Sequence, residues 1–188
     1  MSRMDQLLDN YRSELQIPWR DGLSGAERVW FAVYPPELEH KLIPRLESFR
    51  LATVESSPGR AWLHLSLEQR FGEWLAGQEY RETYFARPQR AAGLPALFAD
   101  ELADQLGAEI RAAQPGPNSV FAISGVASLF GIASLSALVK KFEDSVEGRL
   151  LVFFPGEYLN NQFRLLDARD GWNYHALAIT CAKGTHEL

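Results

Sequence analysis

The chain has 188 residues, of which 46% are hydrophobic and 12% aromatic, so it is long enough to bury one substantial core and too apolar to be disordered. Its net charge of -5 and pI near 5.4 argue against electrostatic binding of DNA or RNA by the protein surface as a whole, because such binding requires an excess of basic residues. The one cysteine, Cys181, cannot form an internal disulfide and fits a reducing cytoplasm, and no apolar run approaches the roughly 20 residues of a membrane helix.

The first predicted element is an amphipathic helix over residues 2–16, which Pro18 ends. Its polar start is not typical of a signal peptide, so we expect a cytoplasmic protein without a membrane segment. An aromatic and β-branched run at residues 28–34 predicts the first strand. The helical pattern that follows, over residues 38–49, contains Pro44, which must kink or split the helix because proline lacks an amide donor.

The middle of the chain alternates between strand and helix patterns. A second strand is predicted over residues 61–65, and Ser66 lies three residues before Gln69, the spacing of a capping box. We therefore expect a helix that begins at Ser66 and ends at Gly77. The remaining elements of this part are a long helix after Pro95, a strand over residues 119–123 and a helix over residues 135–142.

An unbroken apolar run at residues 150–154 predicts a strand that is buried on both faces, in the middle of the sheet. Pro155-Gly156 is expected to end this strand, and a turn with two asparagines should follow. Residues 164–170 then alternate charges of both signs, which suits a network of ion pairs. A last strand is predicted over residues 174–180.

Strands that alternate with helices at this spacing predict a three-layer α/β fold, with a mainly parallel sheet of about five strands and helices on both faces. The expected topology is Rossmann-like without a dinucleotide fingerprint, in a single domain over residues 1–188. Ligands and partners of such sheets usually bind at the carboxyl ends of the strands. That edge is expected to contain residues 34–36, Ser66, residues 124–131 and residues 155–162.

The turn at residues 124–131 is the candidate for a phosphate-binding loop, with Ser124 and Gly125 as candidate cofactor-binding residues. A dinucleotide loop requires glycines where this chain has Ala127 and Phe130, and a Walker A loop requires a glycine at 130 followed by Lys. The simpler interpretation is a packed turn between a strand and a helix. We therefore predict no cofactor and keep a nucleotide- or phosphate-binding module as the alternative function.

No motif for metal binding or catalysis is complete. The chain lacks the paired histidines of zincins and the Gly-x-Ser-x-Gly elbow of serine hydrolases; its four histidines are isolated in sequence, at positions 40, 64, 175 and 186. Asp167 and Asp170 alternate with Arg164 and Arg169, so mutual neutralisation is a simpler interpretation than acid–base catalysis. We predict neither catalytic residues nor a metal site.

Residues 80–90 combine aromatic and arginine side chains, which is typical both of single-strand nucleic-acid grooves and of protein interfaces. Four glutamates at positions 68, 73, 79 and 82 weaken the positive field, so direct binding of nucleic acid is the third alternative and a protein interface is favoured. The candidate interface residues in this segment are Tyr80, Arg81, Tyr84 and Phe85.

Residues 148–156 (Gly-Arg-Leu-Leu-Val-Phe-Phe-Pro-Gly), continued by Tyr158, Asn161 and residues 164–174, resemble the carboxyl-terminal signature of the BrxB proteins of BREX bacteriophage-exclusion systems. The Phe-Phe-Pro-Gly element is the most specific part of this resemblance. Weaker supporting matches span nearly the whole chain in the same order, at residues 29–37, 71–74, 79–82 and 124–131.

The resemblance implies a small cytoplasmic α/β protein that is encoded beside a PglZ-type phosphatase-like protein, a DNA methyltransferase and a large ATPase. It implies a non-enzymatic adaptor that contacts the PglZ-type protein, with no catalytic residues to carry over. Tyr158 and Arg164, which belong to the signature, become further candidate interface residues. One departure is that Gly131 and Ala133 stand in the loop where many relatives have a proline and an arginine.

Overall fold

The structure, a computed structural model of the chain, describes residues 2–113, 116–166 and 175–182. These residues form a six-stranded sheet, and the order of its main path is β2-β3-β4-β1-β6. The five strands of that path run parallel, and β5 pairs antiparallel with β4 alone. The strands are β1 Val29–Tyr34, β2 Ala61–Ser66, β3 Ser119–Ser124, β4 Arg149–Leu159, β5 Gln162–Leu165 and β6 Leu177–Thr180.

Helices cover both faces of the sheet, which confirms the predicted three-layer α/β architecture. They are α1 Arg3–Gln16, α2 Glu39–Leu42, α3 Leu46–Ser56, α4 Arg70–Ala76, α5 Arg81–Ala86, α6 Leu94–Ala113 and α7 Leu135–Phe142. As predicted, Pro44 splits its helix: a 3-10 turn, Ile43–Arg45, separates α2 from α3. None of the helices in the described part of the chain has the length and apolar character that a membrane span requires.

Two separate cores lie on the two faces of the sheet, because alternate residues of each strand point to opposite sides. One face packs on α6 and α7, through residues such as Phe98, Leu106 and Phe142. The other packs on α1 and α3, where Tyr11 and Phe49 are fully buried. The connection from β1 to β2 therefore covers one face, and those from β2 to β3 and from β3 to β4 cover the other.

The predicted central strand is confirmed, but its predicted end at Pro155-Gly156 is wrong. Residues 150–154 are fully buried, with β1 on one side and β3 on the other. Pro155 lies opposite Tyr34, the last residue of β1, and its carbonyl accepts a hydrogen bond from the amide of Leu166 at 2.9 Å. The missing amide of Pro155 is tolerated there because β1 ends at that position. The strand therefore continues to Leu159.

The turn with two asparagines is confirmed as the tip of a hairpin between β4 and β5. Asn160 and Asn161 have φ values of 51° and 59°, the left-handed conformation that asparagine tolerates and that a two-residue hairpin turn of this type requires. Of the charged segment that follows, Arg164 belongs to β5. Residues 167–170, including Asp167 and Asp170, lie outside the described residues.

Two predicted boundaries near strand ends require correction. The helix expected from Ser66 begins at Arg70, and Ser66 is instead the last residue of β2. The chain continues along the sheet for one further hydrogen bond, from the amide of Leu67 to the carbonyl of Ser124, because Leu67 is fully buried. The predicted end at Gly77 is confirmed. The last strand begins at Leu177, His175 and Ala176 before it belong to neither helix nor strand, and Tyr174 lies outside the described residues.

Candidate functional site

The carboxyl edge of the parallel strands contains two part-buried polar pairs, in each of which one side chain is buried and the other is more exposed. One joins β2 to β3 through His64 and Ser124, and the other joins the end of β1 to α2 through Tyr34 and Glu39. Strand ends at this edge are the usual location of binding sites in α/β sheets, because the connections there diverge to opposite faces. The two pairs are therefore the first place to look for chemistry.

The register of β2 against β3 brings His64 to Ser124. Ser66 lies opposite Ser124 and His64 opposite Ala122, so His64 and Ser124 are diagonal neighbours on the same face. The distance from His64 Nε2 to Ser124 Oγ is 2.8 Å. Burial lowers the pKa of His64, so the imidazole is neutral at neutral pH, and a neutral imidazole can accept the hydroxyl proton.

The Ser124–His64 pair is only part of a hydrolase site. In the described ranges, the Nδ1 atom of His64 has no hydrogen bond that would orient the imidazole, as a carboxylate does in a catalytic triad. Ser124 is only 7% exposed, so a substrate has little access to its hydroxyl. What the geometry supports directly is a hydrogen bond that ties together the ends of two parallel strands.

Glu39 is a half-buried carboxylate that accepts a hydrogen bond from the hydroxyl of Tyr34, which is fully buried. Burial raises the pKa of Glu39, and the charge of Glu68 raises it further. Burial and the neighbouring Glu39 likewise raise the pKa of Tyr34. Glu39 therefore carries its negative charge at the cost of folding stability.

We expect the Glu39→Gln variant to be more stable than the wild type near pH 7. A carboxyl whose folded pKa lies above its ordinary value of 4.5 imposes no cost below that value, and the cost grows as pH rises through the folded pKa. The glutamine oxygen can still accept the hydrogen bond from Tyr34. Urea denaturation of both proteins should show an advantage for the variant at about pH 7 that disappears at about pH 4.

The matched control for this experiment is Glu37→Gln, an exposed position in the preceding turn, which removes the same charge without changing a buried group. A wild type as stable as Glu39→Gln near pH 7 would contradict the assignment of Glu39 as a destabilising buried charge.

The turn that contains the candidates Ser124 and Gly125 is closed by hydrogen bonds between its own main-chain groups. The amides of Ser128, Phe130, Ile132 and Ala133 all donate to carbonyls within residues 125–129. Gly125 has a φ of 74°, and a Cβ atom there would lie 2.8 Å from the amide nitrogen of Glu68, so the main chain covers this glycine. Two amides of the predicted phosphate-binding loop, those of Ser128 and Phe130, are therefore already bonded, and an acidic residue lies beside the loop.

The interface candidates of residues 80–90 lie on and before α5, within the connection from β2 to β3. Tyr80 and Phe85 are 59% and 62% exposed, Arg81 is exposed and Tyr84 is half-buried. Beside them lies an open depression of about 380 Å³, which is lined by Glu82, Thr83, Ala86, Arg87 and Arg90. This surface offers aromatic rings and guanidinium groups to solvent.

The other two interface candidates, Tyr158 and Arg164, lie on the hairpin of β4 and β5. The ring of Tyr158 packs on Phe163 with 4.6 Å between ring centroids, and its hydroxyl donates to Asn161 at 3.2 Å. Arg164 lies opposite Glu157, and its buried Nε atom has no hydrogen-bond partner among the described residues. The structure thus places the six interface candidates on two different elements.

The hairpin extends beyond the carboxyl edge of the main sheet. The pairing of β1 with β4 ends at Pro155, and that of β3 ends at Val152, so residues 156–159 pair only with β5. Within the described part of the chain, neither outer edge of the hairpin pairs with another strand. Leu159, next to the tip, is 54% exposed.

Sequence analysis missed both polar pairs. His64 was set aside as isolated, because its partner is 60 positions away and only the pairing of β2 with β3 brings the two together. The available signal was positional: Ser124 ends one strand, His64 lies near the end of the preceding one, and consecutive strands are often neighbours.

No group of three or more His, Cys, Asp or Glu side chains that could hold a metal ion occurs in the residues that the structure describes.

Comparisons of the chain with protein-family models, with curated proteins and with solved structures each found no match.

Proposed function

We propose that this chain is a non-enzymatic adaptor of a BREX-type phage-defence complex, which binds a PglZ-type phosphatase-like protein. Two lines support the proposal: the resemblance of residues 148–156 and 164–174 to the BrxB signature, and the hairpin of β4 and β5, whose outer edges pair with no other strand of the described residues. The hairpin is the observation that carries the proposal, because it is built from the same residues that carry the resemblance.

An open strand edge supports binding because its amide and carbonyl groups can pair with a strand of another protein. The side chains of the hairpin suit this role. Phe163 and Leu165 anchor β5 in the core of the domain, while Leu159 at the tip stays exposed.

The experiment is size-exclusion chromatography of the tagged full-length chain with the PglZ-type protein encoded beside it. We expect co-elution at micromolar concentrations, because an interface of ordinary size buries about 800 Å² on each partner. Separate elution of the two wild-type proteins would remove the adaptor proposal.

Substitution of Leu159 by lysine locates the interface, since it places a charge on the exposed tip of the hairpin. We expect Leu159→Lys to raise the apparent Kd of the complex at least tenfold, because an apolar anchor is lost and a charge must be desolvated. The matched control is Ile17→Lys, a comparably exposed apolar residue at the end of α1. Phe85→Ala tests the second surface, and loss of binding in that variant alone would move the interface to α5.

A second candidate function, hydrolysis by Ser124 with His64 as the base, is favoured only by the 2.8 Å hydrogen bond between them. A fluorophosphonate probe would label an activated serine in the wild type and not in Ser124→Ala. Absence of labelling in the wild type would retire this candidate.

A further inference from the structure

Three arginines converge at the amino edge of the sheet, the opposite edge from the polar pairs described above. Arg28 and Arg60 immediately precede β1 and β2, and Arg149 is the first residue of β4. Val29 pairs with Leu150, so Arg28 and Arg149 precede paired positions on adjacent strands. Arg60 lies nearby because β2 pairs with β3, whose Val120 lies opposite Arg149.

Arg149 is a largely buried charge that pairs with no carboxylate of the described residues. The residue is 6% exposed, and its one hydrogen bond among the described residues runs from Nη1 to the carbonyl of Gly148 at 3.3 Å. None of the ion pairs between described residues includes Arg28, Arg60 or Arg149. Burial lowers the pKa of Arg149, and the charges of Arg28 and Arg60 lower it further. A buried charge in this condition is costly, so an arginine is expected there only with a partner.

The ring of Trp19 contacts two of the three guanidinium groups of this cluster. The guanidinium carbon of Arg60 lies 3.9 Å from the centroid of the Trp19 ring, and that of Arg149 lies 4.6 Å from it. Trp30 is a second ring near Arg149, at 5.8 Å. Stacking on aromatic rings orients the two guanidinium groups and offsets part of their repulsion, but it does not neutralise them.

Several donors of the cluster remain unused. Arg60 donates from Nε to Asn118 and from Nη1 to Ser56 and the carbonyl of Leu15, and its Nη2 group has no bond to any residue that the structure describes. Within the described ranges, Arg149 makes no bond through Nε or Nη2.

The indole nitrogen of Trp19 is a further unused donor, since it is buried and has no partner among the described residues. Arg28 donates to two carbonyls, those of Ser24 and Val146. Glu143 supplies a carboxylate near Arg28; burial and the charge of Asp144 raise its pKa, and the charges of Lys140 and Arg28 lower it by less. The side of the cluster formed by Arg60, Arg149 and Trp19 therefore has unbonded N–H donors and two positive charges. No carboxylate of the described residues pairs with these charges.

We propose that this cluster is a binding site for an oxyanion of the phosphate class, held by Arg60, Arg149 and Trp19 with Arg28 close by. Guanidinium groups present paired N–H donors that match phosphate oxygens, and a doubly charged anion offsets two arginines at once. The site lies at the opposite end of the sheet from the turn at residues 124–131, so it does not depend on the proposed function.

The test is thermal unfolding of the full-length chain in sodium phosphate and in sodium chloride at equal pH and ionic strength. We expect a saturable rise of the Tm in phosphate only, since a ligand that binds the folded state raises its stability by mass action. Arg60→Gln should weaken the apparent affinity for phosphate about tenfold or more. Arg149→Met should remove the response and raise the Tm in chloride, because an uncompensated charge is replaced by a packed apolar chain.

The matched control is Arg50→Gln, which removes an exposed arginine that pairs with Glu47 and should leave the phosphate response unchanged. Phosphoserine, used in place of phosphate, shows whether an ester is accepted: equal shifts mean that the phosphoryl oxygens carry the affinity, and a shift with inorganic phosphate alone means that the site encloses the free ion.

Equal Tm values of the wild type in phosphate and chloride would overturn the proposal, as would a phosphate response that Arg60→Gln leaves unchanged. If Arg149→Met does not fold, Arg60→Gln still decides the outcome. A response that is lost in Ser124→Ala and kept in Arg60→Gln would place the anion at the opposite edge and would also overturn it.

Discussion

Substitution of Gly156 by alanine is expected to destabilise the protein by more than about 3 kcal/mol, the upper end of ordinary overpacking. A Cβ atom at this position would lie 2.0 Å from the carbonyl oxygen of Arg164 and 2.7 Å from the ring of Phe154. The carbonyl belongs to the main chain of β5, so it cannot move without breaking the hairpin. Because Phe163 and Leu165 of the same strand belong to the core, the damage should reach the whole domain. Urea denaturation measures the loss.

The matched control for Gly156→Ala is Gly72→Ala. Gly72 lies inside α4, and a Cβ atom there would meet nothing within 4 Å. Alanine is the better helix former by about 1 kcal/mol, so this variant should be slightly more stable than the wild type. If Gly156→Ala were as stable as the wild type, the close pairing of β4 with β5 described above would be wrong. If the proposed adaptor role is right, a folded but weakened Gly156→Ala protein should also lose co-elution with the proposed PglZ-type partner.

Substitution of Phe153 by alanine is expected to lower the free energy of unfolding by about 3–5 kcal/mol, as for other buried phenylalanines. Phe153 is fully buried in the central strand, and its ring packs edge-on against Phe49 of α3 with 5.0 Å between centroids. The surrounding strand pairs hold the backbone in place, so the cavity cannot close. Such a loss is a large part of the roughly 5–15 kcal/mol by which domains are stable.

Phe85→Ala is the control for Phe153→Ala, because it makes the same chemical change at a side chain that is 62% exposed. We expect its stability to stay within about 0.5 kcal/mol of the wild type. Chemical denaturation of the three proteins in parallel makes the comparison. Similar losses at the two positions would contradict the assignment of residues 150–154 to the interior of the sheet.

The sequence was sufficient to predict the layered α/β fold because burial on both faces leaves a clear pattern. Residues 150–154 are all apolar, and this is what a strand between two cores requires. Pro44 was informative for a different reason, since the lack of an amide donor is a local property and does not depend on the tertiary structure.

The errors arose where the tertiary structure outweighed a local signal. Pro155-Gly156 is typical of a turn, yet the strand continues through it. Pro155 lies beside the last residue of β1, where the sheet does not require the amide hydrogen that proline lacks. Ser66 has the spacing of a helix cap, yet burial of Leu67 keeps the chain on the sheet for another residue. Neither effect can be deduced without the order of the strands.

The candidate sites were less predictable than the fold because their members are far apart in sequence. His64 meets Ser124, and Arg60 meets Arg149, only through the pairing of β2, β3 and β4. The interface candidates on α5 and on the hairpin were accessible from composition and from the resemblance, and they stay predictions until binding is measured.

The pairing of β1 with β4 has a consequence for how the protein is made. Val29 of β1 pairs with Leu150 of β4, so the ribosome synthesises β4 long after β1, the strand whose edge β4 covers. Until β4 has been synthesised, β1, which is apolar on both faces, is outside the ribosome without its central partner strand. Closing so long a loop before native contacts form makes folding slow, so the nascent chain is expected to depend on chaperones until β4 has been synthesised.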